Sequence, residues 1–496
     1  MSEKKKIFKP QPVSGFPEWL PEVRAVELQW FDHIRRIFES YGFCNIETPS
    51  VELLDALKAK GGDGEADVDK EMFIIRHLSR EIEQSSKEPR LALHFDQTVP
   101  LARYTAQHFN DLVFPFKRYQ MQRVWRGERP QAGRFREFYQ CDIDVINVDS
   151  LPLHFDAEMP AIIWETLSSL PGMENEKIQL RISNRKIMQG FLEAIGVDAP
   201  DYITVVIRAF DKTAKIGEEA ALKQIQDYAD SKNLDLETVA PVQLFLTFAV
   251  FPYSNTDELL NGLKNPPLIS NFMEPPTEFK NSSGFFGGVK LLSDHYPQVK
   301  QNKLFNEGLE ELCFVLESLS HLPEKSAVAD IGIVRGLDYY TGTVYETVFI
   351  NPNGSPDMSY GSICSGGRYD DLAGNYINKH LPGVGISIGF SRLFDRLRQQ
   401  GKLPVGRLSP ADILVIMPSE ERRALTMDTA QKLRKQGHKV ETFHNPVKLA
   451  RQLAYAEKKG IPYVWFPPFE DGKPHEVKNM QTKAQTAANP DDWKKD

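Results

Sequence analysis

Arg335-Gly336-Leu337-Asp338-Tyr339-Tyr340-Thr341-Gly342-Thr343-Val344-Tyr345-Glu346 sets a guanidinium, a carboxylate and two phenols within six residues, then continues into a strand-like run. Such a set makes an anion clamp beside a polar, aromatic pocket floor. Downstream lie Ser365-Gly366-Gly367-Arg368-Tyr369-Asp370 and Gly383-Val384-Gly385-Ile386-Ser387-Ile388-Gly389-Phe390-Ser391-Arg392-Leu393. The glycines of the second segment let a strand pack closely against another backbone or a ligand, and Arg392 opens a helix. By itself that segment fits plain strand packing as well as a binding site.

Further on, Leu403-Pro404-Val405-Gly406-Arg407-Leu408-Ser409-Pro410 reads as a linker. Beyond it the pattern is strand Ile413 to Met417, helix 420–436, strand Lys439 to Phe443, helix 447–459 and strand Ile461 to Phe466. This alternation predicts a small α/β domain over 411–489. No glycine-rich phosphate loop opens either helix. The tail, 490–496, has few apolar residues and is expected to be loose.

Upstream, two runs over 117–126 and 134–146 flank Gly127-Glu128-Arg129-Pro130-Gln131-Ala132-Gly133, the pattern of a long β-hairpin. Alternate residues of a strand share a face. One face of the second run shows Arg134, Arg136, Phe138, Gln140, Asp142 and Asp144, with Arg126 across from it. Cationic forks at one end and an amide with carboxylates at the other suit a ligand that carries phosphate at one end and a cationic or hydrogen-bonding group at the other. A salt-bridged, solvated sheet face has the same composition, and the hairpin alone leaves both readings open. Residues 91–99 also alternate, predicting a strand with Asp96 and Thr98 on one face and Gln97 on the other.

The N-terminal region carries Val23, Val26, Trp30, Phe31, Ile34, Ile37, Phe38 and Tyr41 at helical spacing, closed by Gly42. A short strand then runs to Pro49. Residues 190–320 hold a helical stretch near 215–230 and several Pro and Gly clusters but no motif, and are read as an insertion domain between two catalytic segments, 1–189 and 321–402.

A chain of 496 residues is too long for one ordinary core. The start, Met1 to Lys6, leads into no apolar run of the kind that marks a signal peptide, and no run is long enough to span a bilayer. Cys44, Cys141, Cys313 and Cys364 show no paired spacing and no His cluster, so a disulfide framework and a zinc site are not expected and a cytoplasmic location is. The net charge of −8 argues against general nucleic-acid binding, but two regions depart from it. Between Lys117 and Arg136 seven Lys and Arg face only Glu128, and from Ala411 onward fifteen Lys and Arg face twelve Asp and Glu.

Taken in order, these segments resemble the histidyl-tRNA synthetase family of class II aminoacyl-tRNA synthetases. Residues 42–49 and the helix before them resemble motif 1; Trp125 to Pro130 with Gly133 to Phe138, motif 2; Gly383 to Leu393, motif 3. Arg335 to Glu346 and Ser365 to Asp370 resemble the two histidine-specific motifs. The resemblance implies an α+β catalytic domain on an antiparallel sheet flanked by helices, an insertion domain, a C-terminal anticodon-binding α/β domain, and a homodimer. It also implies that L-histidine is activated with ATP and Mg²⁺ and transferred to tRNA(His).

By the same resemblance Arg126 and Arg335 flank the α-phosphate and are catalytic, Glu128 takes the adenine amino group, Arg134 and Arg392 approach the distal phosphates, and Phe138 stacks on adenine. Histidine would be held by Asp96, Thr98, Gln140, Asp144, Arg335, Tyr339, Tyr340 and Tyr369, and the tRNA acceptor end would meet Arg129 and Gln131. Ser391 stands where the family commonly carries an acid. Two rival readings share the fold: a non-catalytic paralogue that regulates histidine biosynthesis, and an RNA-binding sensor.

Overall fold

The computed structural model describes residues 9–58, 72–76, 90–197, 296–330, 340–357, 359–371 and 373–495, with short pieces between 199 and 242 and residues 332–333. By compactness the chain divides into two units, one of Met1–Pro17 with Phe31–Lys402, the other of Glu18–Trp30 with Leu403–Asp496. Helix α1 (Pro21–Ser40) therefore gives its first half to one unit and its second half to the other.

The larger unit is built from β1 (Cys44–Asn45), β2 (Val51–Leu53), α2 (Leu54–Lys58), β3 (Ile74–Ile75), β4 (Leu91–Leu93), α3 (Thr98–Gln107), β5 (Phe116–Trp125), β6 (Glu137–Ile146), α4 (His154–Ser168), β7 (Ile178–Asn184), α5 (Arg185–Ala194), α6 (Glu218–Lys232), α7 (Lys303–Ser318), β8 (Ala327–Ala329), β9 (Thr343–Ile350), β10 (Pro356–Asp357), β11 (Cys364–Tyr369), β12 (Gly383–Ile388) and α8 (Phe390–Gln399). Its main sheet has the order β1-β5-β6-β12-β11-β9-β7-β8, with β10 on β9. From β5 to β7 every pairing is antiparallel, and only the edge strands β1 and β8 pair in parallel. The α+β architecture implied by the resemblance is the one observed.

Register explains what the sheet can do. In the β5–β6 hairpin Arg118 lies opposite Asp144, Gln120 opposite Asp142 and Gln122 opposite Gln140. All are even-numbered and share one face, while Tyr119, Cys141 and Ile143 turn to the other and are buried with the helices. On that helical side Phe31 of α1 stacks on Phe390 of α8 at 4.2 Å between ring centroids, and Tyr139 meets Phe31 edge-on at 4.8 Å. Helix α4 buries Met159, Ile162, Ile163 and Leu167.

Helices α5 and α7 cross closely. A Cβ on Gly190 would run into the Phe305 backbone, and one on Gly308 would come within 2.8 Å of Ile187 N. Asn184 and Asn302 cap the two helices by accepting from Lys186 N–H and Phe305 N–H at 3.0 and 2.9 Å. Both helices fall partly or wholly within the range 190–320 read as an insertion, yet α7 packs on α4 and β7 of the main body. Residues 243–295 of that range lie outside the described residues.

Two sequence expectations differ from the fold of this unit. The second hairpin strand begins at Glu137, so Arg134 and Arg136 belong to the loop and not to its even face. A tight bridge causes this: Gln131 and Arg134 exchange backbone hydrogen bonds at 3.2 and 2.8 Å around Gly133, whose φ is +69°. Likewise residues 91–99 are not one strand. β4 ends at Leu93, and Thr98 opens α3, where Asp96 Oδ1 accepts from Val99 N–H at 3.2 Å.

The second unit carries β13 (Ile413–Val415), α9 (Arg423–Lys435), β14 (Val440–Thr442), α10 (Leu449–Lys459), β15 (Tyr463–Phe466), β16 (Glu476–Asn479) and β17 (Gln485–Ala487). Strands β14, β13 and β15 are parallel, as the alternation predicts, and an antiparallel pair, β16 and β17, extends the sheet. The tail departs from its expected looseness. Trp493 packs edge-on against Trp465 at 5.7 Å, and His438 Nε2 sits 3.1 Å from the Trp493 carbonyl.

Candidate active site

The even face of β5 and β6 continues across β12 and β11 as two rows. One row runs Arg118, Asp144, Gly385, Gly367; the next runs Gln120, Asp142, Ser387, Ser365. Glycine is required at three positions of β11 and β12. A Cβ on Gly385 would run into Asp144 Oδ1, one on Gly383 into the Tyr369 ring, and one on Gly367 would come within 2.7 Å of the Tyr340 ring. Missing side chains thus leave room for a carboxylate and two phenols to lie flat over the strands.

Asp144 is tightly held there. The Arg118 guanidinium, wholly buried, lies 2.5 Å from Asp144 Oδ2, and Tyr369 donates its hydroxyl to Asp144 Oδ1 at 3.0 Å. Burial, then the Asp144 charge, push the Tyr369 phenol well above its usual range, so it remains a donor. Thr98, Asp144, Tyr340 and Tyr369 line one pocket with about 280 Å³ of empty space, shared with Asp142 and Ser387. Gln140 donates to Ser387 Oγ at 2.9 Å, and the buried Gln97 beneath it donates to the carbonyls of Gln122 and Gln140. Gln97 therefore braces the sheet, whereas Asp96 stands at the α3 N-terminus.

The remaining predicted residues gather around the hairpin loop. Arg126 donates from Nε to the Phe95 carbonyl at 3.1 Å, and its guanidinium lies 5.3 Å over the Phe138 ring. Glu128 pairs with Arg134 at 3.2 Å. Arg392 donates to the Gly133 carbonyl at 3.1 Å and the Ser362 carbonyl at 2.8 Å, tying loop and helix α8 together. Arg129 and Gln131 lie in this loop, with Gln131 in the bridge to Arg134. Ser391 accepts from Tyr139 N–H at 2.9 Å. Arg335 and Tyr339 lie outside the described residues.

This arrangement has a cationic end and an end of carboxylates and phenols, joined along β6. The family model for histidyl-tRNA synthetase matches residues 15–248 and 273–393, and the anticodon-binding-domain model matches 412–490. The chain belongs to the histidyl-tRNA synthetase family. It is 48% identical to a histidine–tRNA ligase of Thermobifida fusca, over 99% of this chain and all of the relative. A histidine–tRNA ligase of Bifidobacterium animalis is 38% identical over 98% of this chain and 96% of its own. The crystal structure of histidyl-tRNA synthetase from Nostoc sp. PCC 7120 superposes with a TM-score of 0.75 at 34% identity, covering 98% of both chains.

Two members of the site were not picked out from the sequence. Asp142 is visible in the alternation of β6, but family resemblance points to Asp144 alone. Arg118 is one of many basic residues in the hairpin, and only the strand register places it opposite Asp144.

Proposed function

We propose that the chain is a histidine–tRNA ligase, forming histidyl-adenylate from L-histidine and ATP and passing the histidyl group to the 3′ end of tRNA(His). The observation that carries this reading is the Asp144 carboxylate, fixed by Arg118 and Tyr369 at one end of β6, with Arg126 and Phe138 at the other. Histidine's ring would lie at the first end and ATP at the second. The histidine carboxylate, already ionised at neutral pH, attacks the α-phosphorus. A carboxylate O–P bond forms, and the bond to the pyrophosphate oxygen breaks.

Arg126, with Arg335, stabilises the charge that grows on the α-phosphate, while Arg134 and Arg392 hold the departing phosphates. Phe138 and Glu128 orient the adenine. The terminal ribose hydroxyl of tRNA then displaces AMP from the adenylate carbonyl. Among the described residues no three His, Cys, Asp or Glu side chains converge on one point. Mg²⁺ would be held through the phosphates of ATP beside Arg134 and Arg392 and would supply charge neutralisation there, and no step is routed through it. The enzyme acts as a homodimer in the cytoplasm.

Amino-acid-dependent exchange of pyrophosphate into ATP tests this. Exchange should require histidine. Absence of exchange with every amino acid refutes the reading and leaves a regulatory paralogue or an RNA-binding sensor, whereas equal exchange with proline refutes the assignment to histidine. Sedimentation of the full chain tests the dimer separately.

A further inference from the structure

Asp142 sits on the pocket wall beside Asp144, yet the two carboxylates differ in their partners. Asp144 has a guanidinium and a phenol. Asp142 leans on Ser387, its neighbour across the β6–β12 pairing, and its Oδ1 is buried with no hydrogen-bond partner. Only 4% of the residue is exposed. A buried carboxylate oxygen without a donor is costly, and on a pocket wall a bound ligand is one source of the missing partner.

The charges around it point to what that partner is. Arg118 faces Asp142 from β5, Asp144 from its own strand, and Asp96 from the turn before α3. Tyr369 from β11 and Tyr340 complete the lining, and neither phenol neutralises a carboxylate. Arg118 is shared between the two carboxylates, so when Asp142 is ionised the pocket wall carries more negative charge than one guanidinium offsets. A cationic ring with N–H donors on two sides would supply both the missing donor and the missing charge.

The geometry points to Asp142 as a specificity-determining residue that binds the substrate's ring as an imidazolium, accepting one ring N–H at Oδ1. This rests on the histidine reading above and adds to it a protonation state. In the free protein, burial raises the Asp142 carboxyl from 3.8 to about 7, against the pull of Arg118 and Ser387. A histidine ring titrates near 6.5. Complex formation thus needs one proton shared between two groups of nearly equal affinity, so binding is strongest near pH 6.5–7 and weakens on both sides.

The probe is 1,2,4-triazolyl-3-alanine, which keeps histidine's shape and a ring N–H but is too weakly basic to carry the proton near neutrality. In pyrophosphate exchange with the full-length wild type at pH 7, its KM should exceed that of histidine by roughly 10- to 100-fold, the range for a hydrogen bond to a charged group. That ratio should shrink as pH rises from 7 to 9, because histidine loses its proton and its advantage. Asp142→Asn should raise the histidine KM, leave the ATP KM within a factor of two, and bring the two amino acids close to equality. The wild-type ratio needs no variant, so it stands even if Asp142→Asn folds poorly. A ratio that is flat from pH 6 to 9, or an Asn variant that keeps the full preference for histidine, overturns the assignment while histidine-dependent exchange stands. Absence of exchange with histidine overturns the ligase reading instead.

Discussion

Tyr369 and Asp144, 225 positions apart in the chain, meet at 3.0 Å because glycine occupies the two positions of β12 beneath them. The phenol holds the carboxylate in place from the side opposite Arg118. Tyr369→Phe removes that hydrogen bond with little change in shape. The histidine KM should rise roughly 5- to 20-fold, less than the full worth of a hydrogen bond to a charged acceptor because Arg118 still holds the carboxylate. ATP's KM should not move. Steady-state exchange kinetics with each substrate varied in turn decide it, and parallel losses in both would mean that the sheet itself has shifted.

Gly385 has no space for a methyl group, since the atom it would meet is a fixed carboxylate oxygen, with the Ile143 carbonyl 2.8 Å away. Gly385→Ala should destabilise the protein by about 1–3 kcal/mol through overpacking. It should also impair histidine binding by pushing Asp144 aside. Gly406→Ala, where the added carbon meets nothing within 4 Å, is the matched control. Thermal unfolding of the pair should separate them by several degrees.

Asp142 stores an unfavourable charge in the free protein. Its carboxyl titrates at about 7 when folded against 3.8 ordinarily, so between these values the folded state binds more protons than the unfolded chain. A raised carboxyl of this kind subtracts stability as pH increases through the window and subtracts nothing below it. At about 1.4 kcal/mol per pH unit, the loss above pH 7 is on the order of 4 kcal/mol. Asp142→Asn should accordingly be more stable than the wild type at pH 8, and the gain should fade towards pH 4. Urea unfolding at both pH values measures the difference, and a gain that is equal at both would disprove the charge explanation.

Ser391 accepts a backbone hydrogen bond from Tyr139, next to both Phe138 and Gln140. Ser391→Ala strands that N–H in a buried setting and should cost about 1–2 kcal/mol of stability. The ATP KM should rise less than ~3-fold, because no phosphate contact is lost. A tenfold or larger rise would show instead that Ser391 acts on the nucleotide.

Sequence was most legible where one periodicity governs a whole element. The alternation of β6 showed Phe138, Gln140, Asp142 and Asp144 on one face, and they are. It misled where a loop keeps the alternation without the strand: Arg134 and Arg136 continue the even series but sit in the turn made by Gln131, Gly133 and Arg134. Asp96 and Thr98 stand two positions apart in either a strand or a helix start, and only the hydrogen bond from Val99 separates the two readings. The Arg118–Asp144 pair was invisible because it depends on register, a relation between strands that neither strand carries alone. Trp493 was missed for the same kind of reason, since its partners lie at His438 and Trp465.

The division of α1 between two units has a consequence for synthesis. Residues Glu18–Trp30 leave the ribosome early, but the rest of their unit begins at Leu403. At ordinary elongation rates that interval is roughly 20–75 s. Throughout it the first half of α1 is separated in time from the rest of the unit to which compactness assigns it. A chain that stops before Leu403 lacks the rest of that unit, and incomplete units are the kind of species on which chaperones and proteases act. Two stretches far apart in the chain thus complete one unit only after the unit between them has been made.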